Sequence, residues 1–324
     1  MGWRGTLRSV AAAARAAERE ANRRRRAALV LQNTAVVASH ESELLRIVSV
    51  HKDASEPWDW KSLSLVDPPE KPTPKDDSER AAQIALDVFS PTLADRLLSR
   101  AGWKREALEK AVLDAREQDR QQNAASQEQY VKDYAEWQKL RDVAKGILDR
   151  DLEAYKQAIQ ETTPFSDISD LCPTITLRSS APWYMEATIR VLGEDLIPSE
   201  SKALTQAGKM SVKKMSAARL KDTHQDYVCS CILRVGRELF ALLPIEMAFV
   251  HAQSDLLNTA TGYRSAKTIV SVALTRPQLD ALAFDTIDPS DAVQAFVHHL
   301  EFTRGRGFAE VEALDPSAFT PKSN

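Results

Sequence analysis

Glycine and proline are scarce in this sequence, which contains 10 and 15 of them among 324 residues. Together they make up about 8% of the chain, against about 12% in average proteins. This composition excludes a collagen-like chain and disfavours an all-β sandwich or a mostly disordered protein. Long, uninterrupted helices are therefore expected.

Long apolar runs and paired cysteines are also missing. No stretch of about 18 consecutive apolar residues occurs, and no apolar segment with a cleavage site follows the N-terminus. The three cysteines, Cys172, Cys229 and Cys231, are too few and odd in number for a disulfide framework. These absences favour a cytoplasmic protein without a transmembrane segment, able at most to lie at a membrane surface.

The small net charge of -3 hides two regions of opposite sign. Residues 1–26 contain eight arginines and two glutamates, so they carry +6 and the remaining residues carry -9. A basic arm therefore precedes an acidic body, and the length of the chain suggests about two domains.

The N-terminal half predicts long helices joined by a linker. Residues 6–56 contain neither glycine nor proline, which predicts a basic arm and long helix over 1–56. Four prolines lie close together in a charged segment, which predicts an extended linker at 57–78. A helical hairpin or stalk is predicted at 79–163. Its pattern pauses at Ser90-Pro91, where Ser90 is a natural N-cap, then resumes and continues to residue 163 as one long helix or a nearly continuous pair.

We expect the long helices to pair in an antiparallel arrangement. Large apolar residues recur at roughly helical spacing over 29–50 and 130–159, whereas the other end of each helix is polar. The predicted helix–helix packing residues are Leu44, Ile47, Tyr130, Tyr134 and Trp137. The heptads are too irregular to specify a coiled coil.

The second half has the mixed pattern of an α+β domain, placed at 164–314 and followed by a flexible tail at 315–324. Helices are predicted at 199–207, 226–243 and 289–303. Strands are predicted at 174–178, 184–191, 210–215, 246–252, 268–275 and 308–314. The predicted fold class is therefore α+β, with an antiparallel helical hairpin or stalk followed by a compact domain with a mostly antiparallel sheet.

The basic arm is the most distinctive candidate for binding. Its candidate residues for an anionic surface are Trp3, Arg4, Arg8, Arg15, Arg19, Arg23, Arg24, Arg25 and Arg26. Arginines along a helix with a weak apolar stripe suit an anionic membrane surface or nucleic-acid phosphates. They also suit a solvated stalk, and the sequence leaves the three alternatives open.

Motifs that would indicate a cofactor or a catalytic centre are missing. No phosphate-binding glycine loop occurs, and His224, Cys229 and Cys231 lack the spacing of a zinc site. The acidic segment at 288–291 fits a helix start better than a metal site. We therefore predict no cofactor and no metal. For a metal-dependent hydrolase or nuclease, the candidate catalytic residues are Glu246, Asp255 and Lys267.

Four stretches of the chain resemble a family of bacterial proteins: MGWRGTLRS, SVKKM, QDYVCSCILRVGRELFALLP and FDTIDPSDAVQAFVHHLEFTRGRGF. They cover both ends of the sequence. The resemblance implies a bacterial cytosolic protein with a helical N-terminal half and a compact C-terminal domain, and it brings no activity, cofactor or catalytic residue. Proteins of this kind often occur among accessory genes, including antiphage defence loci, which is an association and not a mechanism.

The sequence favours a non-enzymatic binding or scaffold protein over an enzyme, because its charge is segregated and no coherent catalytic set appears. The arm would contact an anionic surface, either membrane or nucleic acid. The C-terminal domain would bind a protein partner or assemble a homo-oligomer. The alternatives are a metal-dependent hydrolase or nuclease in the C-terminal domain and a purely structural coiled-coil protein.

Overall fold

The computed structural model describes residues 3–257 and 259–319, with side chains from residue 18 onward. The helices are α1 (Trp3–Val48), α2 (Trp60–Ser64), α3 (Asp77–Asp87), α4 (Leu93–Leu97), α5 (Ala101–Leu148), α6 (Leu152–Thr162), α7 (Ala217–Leu242), α8 (Arg276–Asp280) and α9 (Pro289–Gln294). The strands are β1 (Thr174–Arg178), β2 (Tyr184–Arg190), β3 (Glu200–Leu204), β4 (Met210–Lys214), β5 (Met247–Leu257), β6 (Arg264–Thr275), β7 (Val297–Leu300), β8 (Phe302–Thr303) and β9 (Gly307–Phe308).

Helices α1 and α5 run for 46 and 48 residues because their sequences contain few helix breakers. At about 1.5 Å per residue, each is roughly 70 Å long. The prediction of long N-terminal helices is thereby confirmed. α5 and α6 form the nearly continuous pair expected up to residue 163, and Gly146 does not interrupt α5.

The chain forms two compact units, one of residues 1–58 with 150–324 and the other of residues 59–149. The first unit is therefore discontinuous in sequence, and the second is inserted into it. The domain boundaries expected from the sequence stay a prediction.

In the unit of residues 59–149, the segment between α2 and α3 lies antiparallel to α5. Trp137 Nε1 of α5 donates a hydrogen bond to Val66 O at 2.8 Å. Further along, Glu79 N donates to the buried carboxylate of Asp119 at 2.8 Å. The proline-rich segment between these contacts is extended, as its composition predicts, and it is held along α5 at both ends.

The predicted helix–helix packing residues lie in both units. Tyr130, Tyr134 and Trp137 follow one another along α5, with ring centroids 5.8 Å and 5.2 Å apart. Ile47 of α1 is buried and Leu44 is half-buried within the other unit. Because α1 and α5 belong to different units, their antiparallel pairing stays a prediction.

A five-stranded sheet of order β1-β2-β5-β6-β7 forms the core of the C-terminal domain. Only β2 and β5 are parallel neighbours in this sheet, so the expected α+β domain with a mostly antiparallel sheet is confirmed. α7 makes the crossover between β2 and β5 that a parallel pair requires. It covers the face carrying Met185, Ala187 and Ile189, the apolar half of the alternating pattern in β2.

Three predicted elements of this domain are wrong. The helix predicted at 199–207 is replaced by strand β3 at Glu200–Leu204, because these residues pair with β4 around a turn that contains Gly208, whose φ is +72°. The helix predicted at 289–303 ends at Gln294, since the next residues complete the free edge of β6 as β7. The strand predicted at 308–314 is reduced to β9, and most of that segment is extended without a partner strand.

The end of the described chain packs on the second face of the sheet. Leu314 N donates a hydrogen bond to Ser271 Oγ at 2.9 Å. Phe319 lies edge-on against Phe249, with ring centroids 5.0 Å apart. The tail predicted from residue 315 therefore begins as packed structure, and residues 320–324 lie outside the described residues.

A buried ion pair within α7 anchors the segment that follows α1. Arg234 and Glu238, four residues apart, contact each other and are almost completely buried. Ser55 N donates to Glu238 Oε1 at 2.7 Å, and Arg234 Nη2 lies 2.9 Å from Asp167 Oδ2. The side chains of Arg234 and Glu238 therefore connect α7 with the segment after α1 and with the segment after α6.

Candidate functional site

The turn between α3 and α5 exposes a group of large apolar side chains. Trp103 is 70% exposed and Leu97 is 85% exposed. The full group, which we name the apolar tip, comprises Val88, Leu93, Leu97, Leu98 and Trp103. Single exposed apolar residues are common on protein surfaces, but five within 16 residues of chain indicate an interaction site.

A polar network fixes the backbone of the apolar tip. Asp95 N donates to Thr92 Oγ1 at 3.3 Å and Thr92 N donates to Asp95 Oδ2 at 3.2 Å, which forms a capping box at the start of α4. Thr92 Oγ1 also donates to Asp95 Oδ2 at 2.8 Å. The N-cap predicted at Ser90 was therefore wrong by two residues. Lys104 Nζ lies 2.5 Å from Asp95 Oδ1, and Lys104 together with the Thr92 hydroxyl lowers the pKa of Asp95 to about 2.

The exposed charges within the apolar tip are positive. Between residues 88 and 103, the carboxylate is Asp95, which is buried and paired with Lys104. Arg96 and Arg100 are exposed, and neither forms an ion pair with any residue from 18 to 257 or from 259 to 319. The surface of this turn therefore combines large apolar groups with two free guanidinium groups.

The basic arm is exposed wherever its side chains are described. Every side chain from residue 18 to residue 32 is exposed, including Arg19, Arg23, Arg24, Arg25 and Arg26. Among the described residues, Arg24 pairs with Glu20, and the other four arginines make no ion pair. The side chains of Trp3, Arg4, Arg8 and Arg15 lie outside the described part of the chain.

α1 begins to pack where it meets the turn between β3 and β4. Asn33 Nδ2 donates a hydrogen bond to Gly208 O at 3.1 Å, and the side chain of Val30 lies against the same glycine. Before this point, the consecutive residues 23–26 point in directions about 100° apart around the helix. An arginine therefore faces an anionic surface from whichever side that surface approaches.

The three candidate catalytic residues do not come together. Glu246 immediately precedes β5, and Asp255 lies nine residues further along this strand, which places them about 30 Å apart. Glu246, Asp255 and Lys267 each have a separate ion-pair partner, namely Arg150 at 3.3 Å, Arg190 at 2.5 Å and Glu310 at 2.8 Å. This arrangement provides no shared hydrolytic or metal centre.

The imidazole and the two thiols considered as zinc ligands also have separate surroundings. His224 Nε2 donates to Leu192 O at 2.9 Å, and burial lowers the pKa of this imidazole. Burial raises the pKa of Cys229 and Cys231 well above the usual thiol range. In the part of the chain that the structure describes, no group of three or more histidine, cysteine or acidic side chains is arranged to hold a metal ion.

A cleft of about 790 Å³ lies at the carboxyl ends of β2 and β5. Its acidic and basic residues come from four separate segments: Arg190 with Glu194 and Asp195 in the first, then Asp255, Arg264 and Arg306 in one each. Of these residues, only Asp255 was a candidate from the sequence, because no local motif joins the four segments. The signal that could have found the cleft is the strand–helix–strand order around α7, since ligands bind at the carboxyl ends of parallel strands.

Asp226 on α7 is a half-buried carboxylate close to other acids. Burial, followed by the nearby charges of Asp288, Asp222 and Asp291, raises its pKa to about 6, although a hydrogen bond from Ser290 opposes the shift. A raised folded-state pKa adds stability below the unfolded-state value of 3.8, and that contribution disappears as the pH rises through 6. Ionised Asp226 therefore destabilises the fold at neutral and higher pH.

Replacing Asp226 with asparagine removes the destabilising charge, so we expect the variant to be more stable than the wild type at pH 8. The expected gain is only about 1 kcal/mol, because solvent screens this half-buried group. The gain should shrink as the pH approaches 4, where the wild-type carboxyl is protonated. Urea denaturation at pH 4, 6 and 8 would measure the difference. Asp170→Asn is the matched control, since Asp170 pairs with Arg46 at 2.8 Å and does not contribute to the pKa shift of Asp226, so its loss should bring no such gain. A gain independent of pH would contradict this explanation.

No family model, curated protein or solved structure matches the chain significantly. Within the described residues, no helix is long and apolar enough to cross a bilayer. The features of the chain that could recognise a ligand or a surface are the apolar tip, the basic arm and the cleft.

Proposed function

We propose that this protein is a non-enzymatic binding or scaffold protein that attaches peripherally to an anionic membrane surface. The observation that carries the proposal is the apolar tip, where large side chains are exposed beside Arg96 and Arg100. A lipid surface offers an apolar layer for the leucines, an interfacial layer that suits Trp103, and phosphates for the guanidinium groups. The C-terminal domain would then bind a protein partner or a second copy.

The basic arm supplies a second attraction to the same kind of surface. A basic residue close to an anionic bilayer contributes about 1 kcal/mol, and this contribution decreases with salt. Stable peripheral attachment requires two signals, because a single short apolar anchor binds only marginally. The apolar tip and the arm provide one signal of each kind.

Nucleic acid and self-association explain these features less well. Phosphates of a duplex would attract the arm, but they offer nothing to the exposed leucines and tryptophan. A two-fold dimer formed through the apolar tip would place Arg96 and Arg100 near their own copies, where like charges repel. The separation of Glu246, Asp255 and Lys267 gives the hydrolase alternative no support.

Flotation of the full chain with lipid vesicles tests this proposal. We expect binding to vesicles containing phosphatidylglycerol, weaker binding in high salt, and little binding to phosphatidylcholine alone. Fluorescence anisotropy with a labelled DNA duplex and size-exclusion chromatography should run in parallel. Binding to the duplex without binding to vesicles would replace the proposal with nucleic-acid recognition, and a stable dimer that ignores vesicles would replace it with self-association.

The contribution of the arm can be isolated with Arg23→Gln and Arg26→Gln together. These residues share one side of α1, and we expect ten- to thirty-fold weaker binding to anionic vesicles at low salt, since about 1 kcal/mol is lost per residue. A lipid titration by vesicle sedimentation measures this change. Lys110→Gln with Arg120→Gln removes the same charge from exposed positions on α5 and should have little effect. Equal losses for both pairs would show that only net charge matters.

A further inference from the structure

The cleft at the carboxyl ends of β2 and β5 occupies the position where sheets with parallel strands bind ligands. β2 ends at Arg190, and α7 carries the chain across to β5, whose last residue is Leu257. Such a connection leaves a crevice outside the strand ends, beside the first turns of the crossover helix. A volume of about 790 Å³ lies within the range of small-molecule sites, roughly 300 to 1,000 Å³.

Two side chains of α7 hold the wall that follows β2. Tyr227 Oη accepts a hydrogen bond from Leu192 N at 3.0 Å and donates one to Leu171 O at 2.5 Å. His224 Nε2 donates to Leu192 O at 2.9 Å, so both backbone polar groups of Leu192 are satisfied by side chains. Burial lowers the pKa of His224 and raises the pKa of Tyr227, which keeps both groups neutral. The wall is therefore formed before any ligand enters.

The charged side chains of the cleft divide into one neutralised pair and four others. Arg190 Nη2 lies 2.5 Å from Asp255 Oδ1, so these two charges compensate each other. Arg264 Nη1 donates to the backbone oxygen of Asp255 at 3.1 Å, which orients its guanidinium group without neutralising it. The cleft residues that form no ion pair within the described ranges are Arg264, Arg306, Glu194 and Asp195.

We propose that this cleft binds a phosphorylated sugar, either free or as part of a nucleotide. A phosphate monoester carries nearly two negative charges and accepts bidentate hydrogen bonds, which matches the guanidinium groups of Arg264 and Arg306. The carboxylates of Glu194 and Asp195 accept hydrogen bonds from neighbouring hydroxyl groups, as acidic residues do with ribose at the ends of parallel strands.

Both kinds of charge are needed for this fit. A ligand with only a phosphate would leave the two carboxylates without a donor. A ligand with only hydroxyl groups would leave the two guanidinium groups without an anion. Two cations and two anions around one cleft therefore favour a molecule that has an anionic end and a hydroxyl-bearing end.

Isothermal titration calorimetry of the full chain with four probes tests the proposal. The probes are ribose 5-phosphate, adenosine 5′-monophosphate, ribose and inorganic phosphate. We expect ribose 5-phosphate or the nucleotide to bind at least tenfold more tightly than inorganic phosphate, and ribose to bind more weakly still. Tighter binding of the nucleotide would identify a base-binding contribution, whereas equal binding of the two would identify the sugar phosphate as the recognised group.

Two double variants test which side chains bind the phosphate and which bind the hydroxyl groups of the ligand. Arg264→Gln with Arg306→Gln should reduce the affinity for ribose 5-phosphate at least tenfold. Glu194→Gln with Asp195→Asn should weaken ribose 5-phosphate and leave the affinity for inorganic phosphate unchanged. Arg304→Gln is the matched control, because Arg304 neighbours the cleft in sequence but pairs with Asp222 and does not line it. Thermal unfolding of each variant verifies that it remains folded.

Two outcomes would overturn the proposal of a sugar-phosphate site. Absence of a binding signal with all four probes at millimolar concentration would remove it. Unchanged affinity in a folded Arg264/Arg306 variant would also remove it, since the phosphate would then bind elsewhere. Vesicle attachment is measured separately, so the proposed membrane function can fail without affecting this result.

Discussion

Replacing both Leu93 and Leu97 with serine is expected to weaken binding to anionic vesicles by at least about 100-fold. Moving one leucine side chain from water into an apolar layer contributes about 1.5 to 3 kcal/mol, and each 1.4 kcal/mol is a factor of ten in affinity. These two side chains are 78% and 85% exposed in the free protein, so their loss should hardly change the free energy of unfolding. Vesicle sedimentation over a lipid titration measures the affinity.

A matched variant elsewhere on the same unit separates insertion from general hydrophobicity. Leu113 and Val131 of α5 are 62% and 56% exposed but lie outside the apolar tip. Replacing these two with serine should leave vesicle binding within about twofold of the wild type if the apolar tip is the inserting element. The proposal fails if the Leu93/Leu97 variant binds as the wild type does, or if both variants lose affinity equally.

Replacing Glu238 with alanine is expected to lower the free energy of unfolding by about 3 to 5 kcal/mol. The change leaves the guanidinium group of Arg234 buried without its main partner, and it removes the acceptor of Ser55 N. Asp167 still contacts Arg234, but its side chain is 55% exposed and compensates only in part. Chemical denaturation followed by far-ultraviolet circular dichroism measures the effect.

Two further variants distinguish a lost ion pair from lost packing. Glu238→Gln keeps an oxygen acceptor for Ser55 N, so we expect it to be less destabilising than Glu238→Ala. Arg234→Met with Glu238→Met removes both charges while retaining apolar volume, and this change is often close to neutral for a buried pair. If the double methionine variant were as unstable as Glu238→Ala, packing would explain the loss better than the unpaired charge.

Sequence patterns predicted the elements whose conformation depends mainly on their own residues. The scarcity of glycine and proline predicted a long first helix, although α1 ends at Val48, eight residues before the run without these residues ends at Glu56. The two-residue alternation of β2 matched its buried and half-buried faces. The helix predictions over 199–207 and 297–300 were wrong for the opposite reason. Their strands are specified by pairing with β4 and β6, and tertiary pairing outweighs local helical preference.

The candidate sites show the same limit. The arginines of α1 follow from composition alone, so the arm could be predicted. Leu93 and Leu97 appeared in the sequence only as apolar positions at helical spacing, and spacing does not say whether another element covers them. The cleft depends on Arg264, Arg306 and Glu194 lining one cavity, and a single sequence does not indicate which distant segments come together.

The hydrogen bond that holds the segment after α1 can form only late in synthesis of the chain. His51 N donates a hydrogen bond to Ser230 Oγ at 3.0 Å, and these residues are 179 positions apart. At about 5 to 20 residues per second, the ribosome needs roughly 10 to 35 s to make the partner of His51 after His51 itself. During that interval, the basic helix has been synthesised while Ile47 and Val50 still lack the core that buries them in the finished protein. A nascent chain that stalls before residue 230 would therefore carry the arm together with an uncovered apolar end.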